Sequence, residues 1–273
     1  MSVADRLAII AGAGRLPALL RAALDAPPLI AAPEGAELSD GVGPPDLTFR
    51  VERLMPFLDA LHEHGVGRIV FAGAVQRPRL DPAAFDPRTA AMVPRLLAAM
   101  QSGDDATLRE VIAIFEDEGF AVVGAADVAS DLVPDAGVLS ARRPDAGDTA
   151  DAARAAEIVA ALGAVDVGQG AVVAQGLCLA VEALPGTDAM LAGLAALPPM
   201  RPDPAGARGL LYKAAKPGQD RRIDLPALGP HTLRAVAAAG LGGIAFEAGG
   251  VMLLDRTEAV RIADELDLLL WAR

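Results

Sequence analysis

Between Leu7 and Val123 one pattern recurs: a short apolar run, a glycine that breaks it, then apolar residues at helical spacing. The runs are Leu7 to Ala11, Leu29 to Ala32, Arg68 to Ala72 and Phe120 to Val123. Pro17 to Leu24 reads as the first helix, and Leu54, Phe57, Leu58 and Leu61 mark the second. Met92 to Met100 marks a third, and Leu108, Val111, Ile112 and Phe115 a fourth. Strands that alternate with helices pair in parallel, because each helix carries the chain back across a sheet face before the next strand starts. The pattern predicts a Rossmann-like α/β domain over residues 1–132.

The text then changes. Residues 133–147 are rich in proline, glycine and charge, and are read as a linker. Asp148 is expected to cap a helix reaching about Leu162, opening a second domain over residues 148–273. Ala171 to Ala174 and Leu177 to Ala183 read as a hairpin turned at Gln175-Gly176, followed by a helix from Gly186 to Leu197. Gly209 to Ala215 is a further strand candidate and His231 to Ala239 a helix. Ile244 to Phe246 and Val251 to Leu254 are expected to pair through a glycine-rich turn, and Asp255 with Glu258 to form a capping box. The prediction is a mixed α+β domain built on hairpins.

With 53% hydrophobic residues in 273, both domains can fill a core. A net charge of −12 opposes binding to phosphate backbones, and 3% aromatics leave no base-stacking platform, so nucleic acid is excluded as a partner. Cys178, the single cysteine, stands between Leu177 and Leu179 and is read as a buried thiol. The first residues lack the basic start and apolar core of a signal peptide, and no uninterrupted apolar stretch is long enough to span a bilayer. A cytoplasmic protein is expected.

Five constellations could carry chemistry. Gly12 and Gly14 lie between a strand and a helix, where backbone N–H groups approach phosphate, with Pro17 where a dinucleotide fingerprint has its third glycine. Glu34 lies where a ribose-binding acid could occur. Gly73 and Arg77 follow another strand and could line the same crevice. Asp104 and Asp105 follow Gly103; Asp104 suits a cap, while Asp105 could reach a metal. Gly168-Gln169-Gly170, Glu182 and Gly186-Thr187-Asp188 form the fourth group: a carboxylate after the run LCLAV must be paired, protonated or metal-bound.

The fifth constellation is the strongest. Of 24 basic residues only Lys213 and Lys216 are lysine, and they share the stretch Tyr212 to Pro226 with Gln219, Asp220, Arg222 and Asp224. Cations there could neutralise a pyrophosphate while Asp220 and Asp224 offer hard oxygen ligands for Mg²⁺. The three histidines, His62, His64 and His231, do not make a zinc set, and neither a nucleophile elbow nor a Walker A motif is present.

With these motifs in view, the chain resembles the LpxI family of UDP-2,3-diacylglucosamine pyrophosphatases nearly end to end. The likeness is carried by IIAGAGRLP, FAGAVQRP, SGDDATLREVIAIFEDEGF, DVGQGAVVAQGLCLAVEALPGTDAML and KAAKPGQDRRIDLPALGPHTL. It implies a bacterial lipid A enzyme with the ligand between two domains, hydrolysing UDP-2,3-diacylglucosamine to 2,3-diacylglucosamine 1-phosphate (lipid X) and UMP with Mg²⁺. It also implies a critical aspartate at Asp224 and a homodimer formed through the C-terminal domain.

The expected site follows from both lines. Asp224 with Asp220 or Glu182 holds the metal, and Lys213, Lys216 and Arg222 stabilise phosphoryl charge. Gly12, Gly14, Gly73 and Arg77 hold the nucleotide, with Gln169, Gly170, Thr187, Asp188 and Gln219 as further substrate contacts. A weak peripheral contact with the inner membrane is compatible with a lipid substrate. Two alternatives stand beside the hydrolase: a non-catalytic nucleotide or lipid-binding regulator, and an NAD-dependent oxidoreductase.

Overall fold

A computed structural model describes residues 6–75, 80–101, 104–198, 200–223 and 225–273, without the side chains of Asp104 and Asp105. The chain divides into two compact units, residues 1–130 with 220–224, and residues 131–219 with 225–273.

In the first unit, β1 (Arg6–Ala11), β2 (Leu29–Pro33), β3 (Leu47–Phe49), β4 (Val66–Ala72) and β5 (Ala121–Val122) form one sheet in the order β3-β2-β1-β4-β5. All four pairings are parallel. The connections include α1 (Leu16–Ala22), α2 (Leu54–Glu63), α3 (Pro87–Gln101), α4 (Asp104–Asp117) and α5 (Ala125–Val128). In β1 every residue after Arg6 is buried, as a strand covered on both faces requires. Leu58, Leu61, Ile69, Ile112 and Phe115 centre the core, and Phe49 stacks on Phe57 at 4.2 Å between ring centroids. Each such side chain stabilises the fold by about 1.5–3 kcal/mol through burial.

In the second unit, β6 (Gly137–Val138), β7 (Gly170–Ala174), β8 (Leu177–Val181), β9 (Leu210–Lys213), β11 (Gly243–Phe246) and β13 (Leu269–Ala272) form a sheet in the order β6-β13-β11-β9-β7-β8. A separate parallel pair joins β10 (Ala227–Leu228) to β12 (Met252–Leu253). Helices α6 (Ala146–Ala164), α7 (Gly186–Ala195), α8 (Pro230–Ala238) and α9 (Arg256–Glu265) complete the unit. Successive strand residues alternate between two buried faces. Val172, Leu211, Ile244, Phe246 and Leu270 pack with residues of α7, α8 and α9, whereas Ala171, Val173, Leu210, Tyr212 and Leu269 pack with those of α6. Burial of both faces explains why these strands read as unbroken apolar runs.

Several expectations are corrected. Residues 133–147 are folded into the second unit: β6 pairs with β13, and Arg142 binds the Asp148 carboxylate at 2.8 Å and the Gly242 carbonyl at 2.8 Å. Asp145, not Asp148, caps α6; Asp148 returns the bond to the Asp145 N–H. The 244–254 hairpin does not form, because β11 pairs in parallel with β9 and β13 while β12 pairs with β10. Asp255 adopts a left-handed conformation (φ 47°) without a side-chain cap, and Glu258 pairs with Arg261 and Arg234 instead. Cys178 is exposed, since it lies on the edge strand β8. The Gln175-Gly176 turn does form, with both residues at positive φ and both N–H groups donating to the buried Asp151 carboxylate.

Candidate active site

Candidate residues of the first unit gather where the strand order reverses. The chain leaves β1 toward β2 on one side and β4 on the other, and the loops after β1 and β4 emerge together at their carboxyl ends. This is the switch point at which open α/β sheets bind ligands. Backbone hydrogen bonds join the two loops: Gly12 N–H donates to Ala72 O (2.8 Å), Ala13 N–H to Ala74 O (2.8 Å) and Ala74 N–H to Ala13 O (2.9 Å). A β-carbon on Gly12 would lie 2.4 Å from Ala74 O, and one on Gly73 2.4 Å from Ala13 O. Both glycines are therefore demanded by the approach of the two loops. Gly14 differs: it has φ 97°, with open space where a side chain would be. Its carbonyl accepts a 2.8 Å bond from the Ser39 hydroxyl, and Ala13 and Arg15 beside it are exposed. Glu34 points to solvent, 3.9 Å from Arg50. Arg77 lies outside the described residues.

Residues 220–224 belong to this unit although the chain on either side belongs to the other. Ile223 packs on the first core. Arg222 binds Asp220 through Nη2 (2.7 Å) and Nε (3.0 Å), and its backbone N–H donates to the same carboxylate at 3.0 Å. Its Nη1 donates to Glu116 at 2.6 Å. The Arg222 guanidinium, through these hydrogen bonds, holds the Asp220 carboxyl below the usual carboxylate range. Asp224 lies outside the described residues.

In the second unit, the register of β7 and β9 sets Gly170 opposite Lys213, and the hairpin returns the chain so that Glu182 N–H donates to Gly170 O at 2.8 Å. Lys213 thus ends β9 on the same edge as Glu182 and Gly170. Lys213 Nζ donates to the Thr187 hydroxyl (2.6 Å), which donates to Glu182 Oε2 (2.6 Å), and Nζ lies 3.6 Å from that oxygen. Both charged residues are buried, at 6% exposure each. Gly168 and Gly170 make room for Glu182: a β-carbon would come within 2.0 Å of its carbonyl oxygen and 2.7 Å of Oε2, respectively. Gln169, between them, has a buried Oε1 without a hydrogen-bond partner, while its carbonyl accepts from Ala214 N–H.

Other predicted residues of this unit have partners of their own. Lys216 pairs with Asp166 at 2.6 Å, and its N–H donates to Gln219 Oε1 at 3.1 Å. Asp188 faces solvent, 3.5 Å from His231. Among the described residues, no group of three or more His, Cys, Asp or Glu side chains is arranged to hold a metal.

Two residues escaped the sequence reading. Glu247 follows β11 as Glu182 follows β8; its N–H donates to Lys213 O (2.9 Å) and its carboxylate accepts from Ala215 N–H (3.0 Å). The signal is an acid directly after an apolar run, LCLAV before Glu182 and GIAF before Glu247. Glu116 meets Arg222 across 106 positions of sequence, and no local pattern reports that.

Comparison with known proteins places this geometry in a family. The LpxI N-terminal domain matches residues 6–132 and the LpxI C-terminal domain residues 135–271. The protein of Caulobacter vibrioides named UDP-2,3-diacylglucosamine pyrophosphatase LpxI is 42% identical over 210 residues, covering 77% of this chain and 75% of that protein. The chain belongs to the LpxI family.

Proposed function

We propose that this protein hydrolyses the pyrophosphate bond of UDP-2,3-diacylglucosamine, giving 2,3-diacylglucosamine 1-phosphate and UMP in lipid A biosynthesis. The observation that carries the proposal is the buried Lys213, oriented by Thr187 and Glu182 at a strand end, in a chain that matches a pyrophosphatase along most of its length. A water oxygen bonds to one phosphorus as the bridging P–O bond breaks, and two phosphate monoesters result. Lys213 has N–H capacity beyond its bond to Thr187, and its surroundings exclude water, which strengthens its effect on charge developing at a phosphoryl oxygen.

Mg²⁺ is assigned as cofactor. The donor chemistry of 220–224 suits it: Asp220 and Asp224 are hard oxygen donors four positions apart, and Asp220, both of whose oxygens Arg222 engages, would have to exchange one of those bonds for the ion. When bound, the ion would polarise phosphoryl oxygen and acidify water. Glu182 is assigned to orienting Lys213 instead, because its Oε2 is taken by Thr187 and Lys213. Arg222 is assigned to holding Asp220, since two carboxylates already engage it.

The nucleotide end is assigned to the rim at Gly14, with Gly12 and Gly73 shaping it and Arg77 as its cation. Lys216, Gln169, Gly170, Thr187, Asp188 and Gln219 complete the assigned substrate surface, and the acyl chains go to apolar surface of the second unit. A homodimer is part of the proposal: β8 is an edge strand with Leu177 (50% exposed) and Val181 (40% exposed) uncovered, the kind of edge that proteins cover. Among the described residues no helix is long and apolar enough to cross a membrane, and a cytoplasmic protein touching the inner membrane peripherally suits its lipid substrate. The test is UMP release from UDP-2,3-diacylglucosamine with Mg²⁺ and with EDTA. Release that EDTA abolishes is expected; release unaffected by EDTA would remove the metal.

A further inference from the structure

The second unit holds a cavity of about 260 Å³ at the end of its sheet opposite Lys213. It is lined by Leu179, Leu194, Met200 and Leu241, with Arg201 and Arg208 beside them. Arg208 stands just before β9 and Leu241 just before β11, so the cavity lies at the amino ends of the strands whose carboxyl ends carry Lys213 and Glu247. Arg208 and Lys213 are five positions apart in sequence, and the four residues of β9 between the two ends span about 10 Å at a strand's rise.

The two arginines differ. Arg208 donates to the Asp267 carbonyl (2.7 Å) and lies 3.4 Å from its carboxylate. Arg201 has a buried Nη1 without a hydrogen-bond partner. A buried guanidinium N–H left unmade is costly, and a charged acceptor satisfies it best. The cavity thus combines apolar walls with one unsatisfied cationic donor, and its rim exposes Leu197 (54%) and Met200 (60%). The occupant it fits is an aliphatic chain ending in an anion. The acyl chains of the proposed substrate end in no anion, so they do not answer Arg201.

We propose that this cavity binds a single-chain anionic amphiphile of the fatty-acid class, with the carboxylate on Arg201 and the chain against Leu179, Leu194 and Leu241. The test is calorimetric titration of the full chain with monomeric dodecanoate and with dodecan-1-ol, using wild type, Arg201→Gln and Ala238→Trp. Ala238 is exposed and lines the cavity, so tryptophan there blocks it without disturbing the core. Dodecanoate is expected to bind at least about tenfold tighter than the alcohol, with Arg201→Gln removing the difference and Ala238→Trp abolishing both. Turnover measured without amphiphile should be unchanged in both variants. No dodecanoate binding, equal binding of acid and alcohol, or binding that survives Ala238→Trp would overturn the proposal. Dodecanoate that competes with UDP-2,3-diacylglucosamine equally in wild type and Arg201→Gln would assign it to the substrate's own site, which also overturns it.

Discussion

Lys213 Nζ lies 3.6 Å from Glu182 Oε2, with both side chains 8% exposed and the Thr187 hydroxyl bridging them. Two charges taken this far out of water gain little net stability from one another, yet neither tolerates loss of its partner. A pair of this kind suits a chain that needs one ammonium fixed at one place.

Lys213→Met strands the Glu182 carboxylate and is expected to cost about 3–5 kcal/mol of stability. The double variant Lys213→Met, Glu182→Leu should recover most of that stability and none of the turnover. Urea unfolding and UMP release, measured on the same preparations, separate the two effects. A double variant that regained activity would remove Lys213 from the chemistry.

Thr187→Val keeps the side-chain shape and removes the hydroxyl that both charges use. Stability should fall by about 1–3 kcal/mol. The larger effect is expected in kcat and not in KM, because Lys213 remains present but loses its orientation. Steady-state kinetics decide it, and an unchanged kcat would contradict an orienting role.

Gly12→Ala and Gly73→Ala force a β-carbon to within 2.4 Å of a carbonyl oxygen in the facing loop. Each should destabilise by about 1–3 kcal/mol through overpacking. Gly14→Ala meets no atom and bears only the left-handed strain of its φ, so it should cost less. Thermal melts of the three variants test the order, and a Gly14→Ala variant less stable than the other two would contradict it.

Glu52 is 3% exposed and accepts from Arg50 and from Asp81 N–H, and these bonds pull its carboxyl from 4.5 to about 2. Its folded-state value is depressed, so its stabilising contribution is full above about pH 4.5 and drains away as pH falls toward about 2. Glu52→Gln should be less stable than wild type at pH 7, and the gap should narrow steadily across that window. Urea midpoints from pH 7 to pH 2 check it; a gap that held constant would contradict the assignment.

How much of this was legible in the sequence depends on how local its cause is. The strands after Leu7, Leu29 and Arg68 were readable because both faces of the first sheet are buried, which leaves an unbroken apolar run. The edge strand β3, only Leu47–Phe49, was missed because three residues show no periodicity. Cys178 was misplaced inside because apolarity signals burial only when a neighbouring layer exists, and β8 ends the sheet. Asp255 and Glu258 have the spacing of a capping box, yet the backbone at Asp255 turns left-handed and Arg261 takes the glutamate. In the site, Glu182 was readable as a carboxylate needing a partner. Its partner Lys213 was singled out for a different reason, and only the register of β7 with β9 joins the two.

Cleavage of the diphosphate is read without a coupled assay by ³¹P NMR of the purified protein with UDP-2,3-diacylglucosamine and Mg²⁺. Hydrolysis makes both diphosphate resonances disappear together as two monoester resonances grow in equal amount, one matching UMP and the other the sugar 1-phosphate. Diphosphate resonances that broaden on binding and persist, with the protein folded and the lipid dispersed, would contradict it and leave a protein that binds this ligand without consuming it.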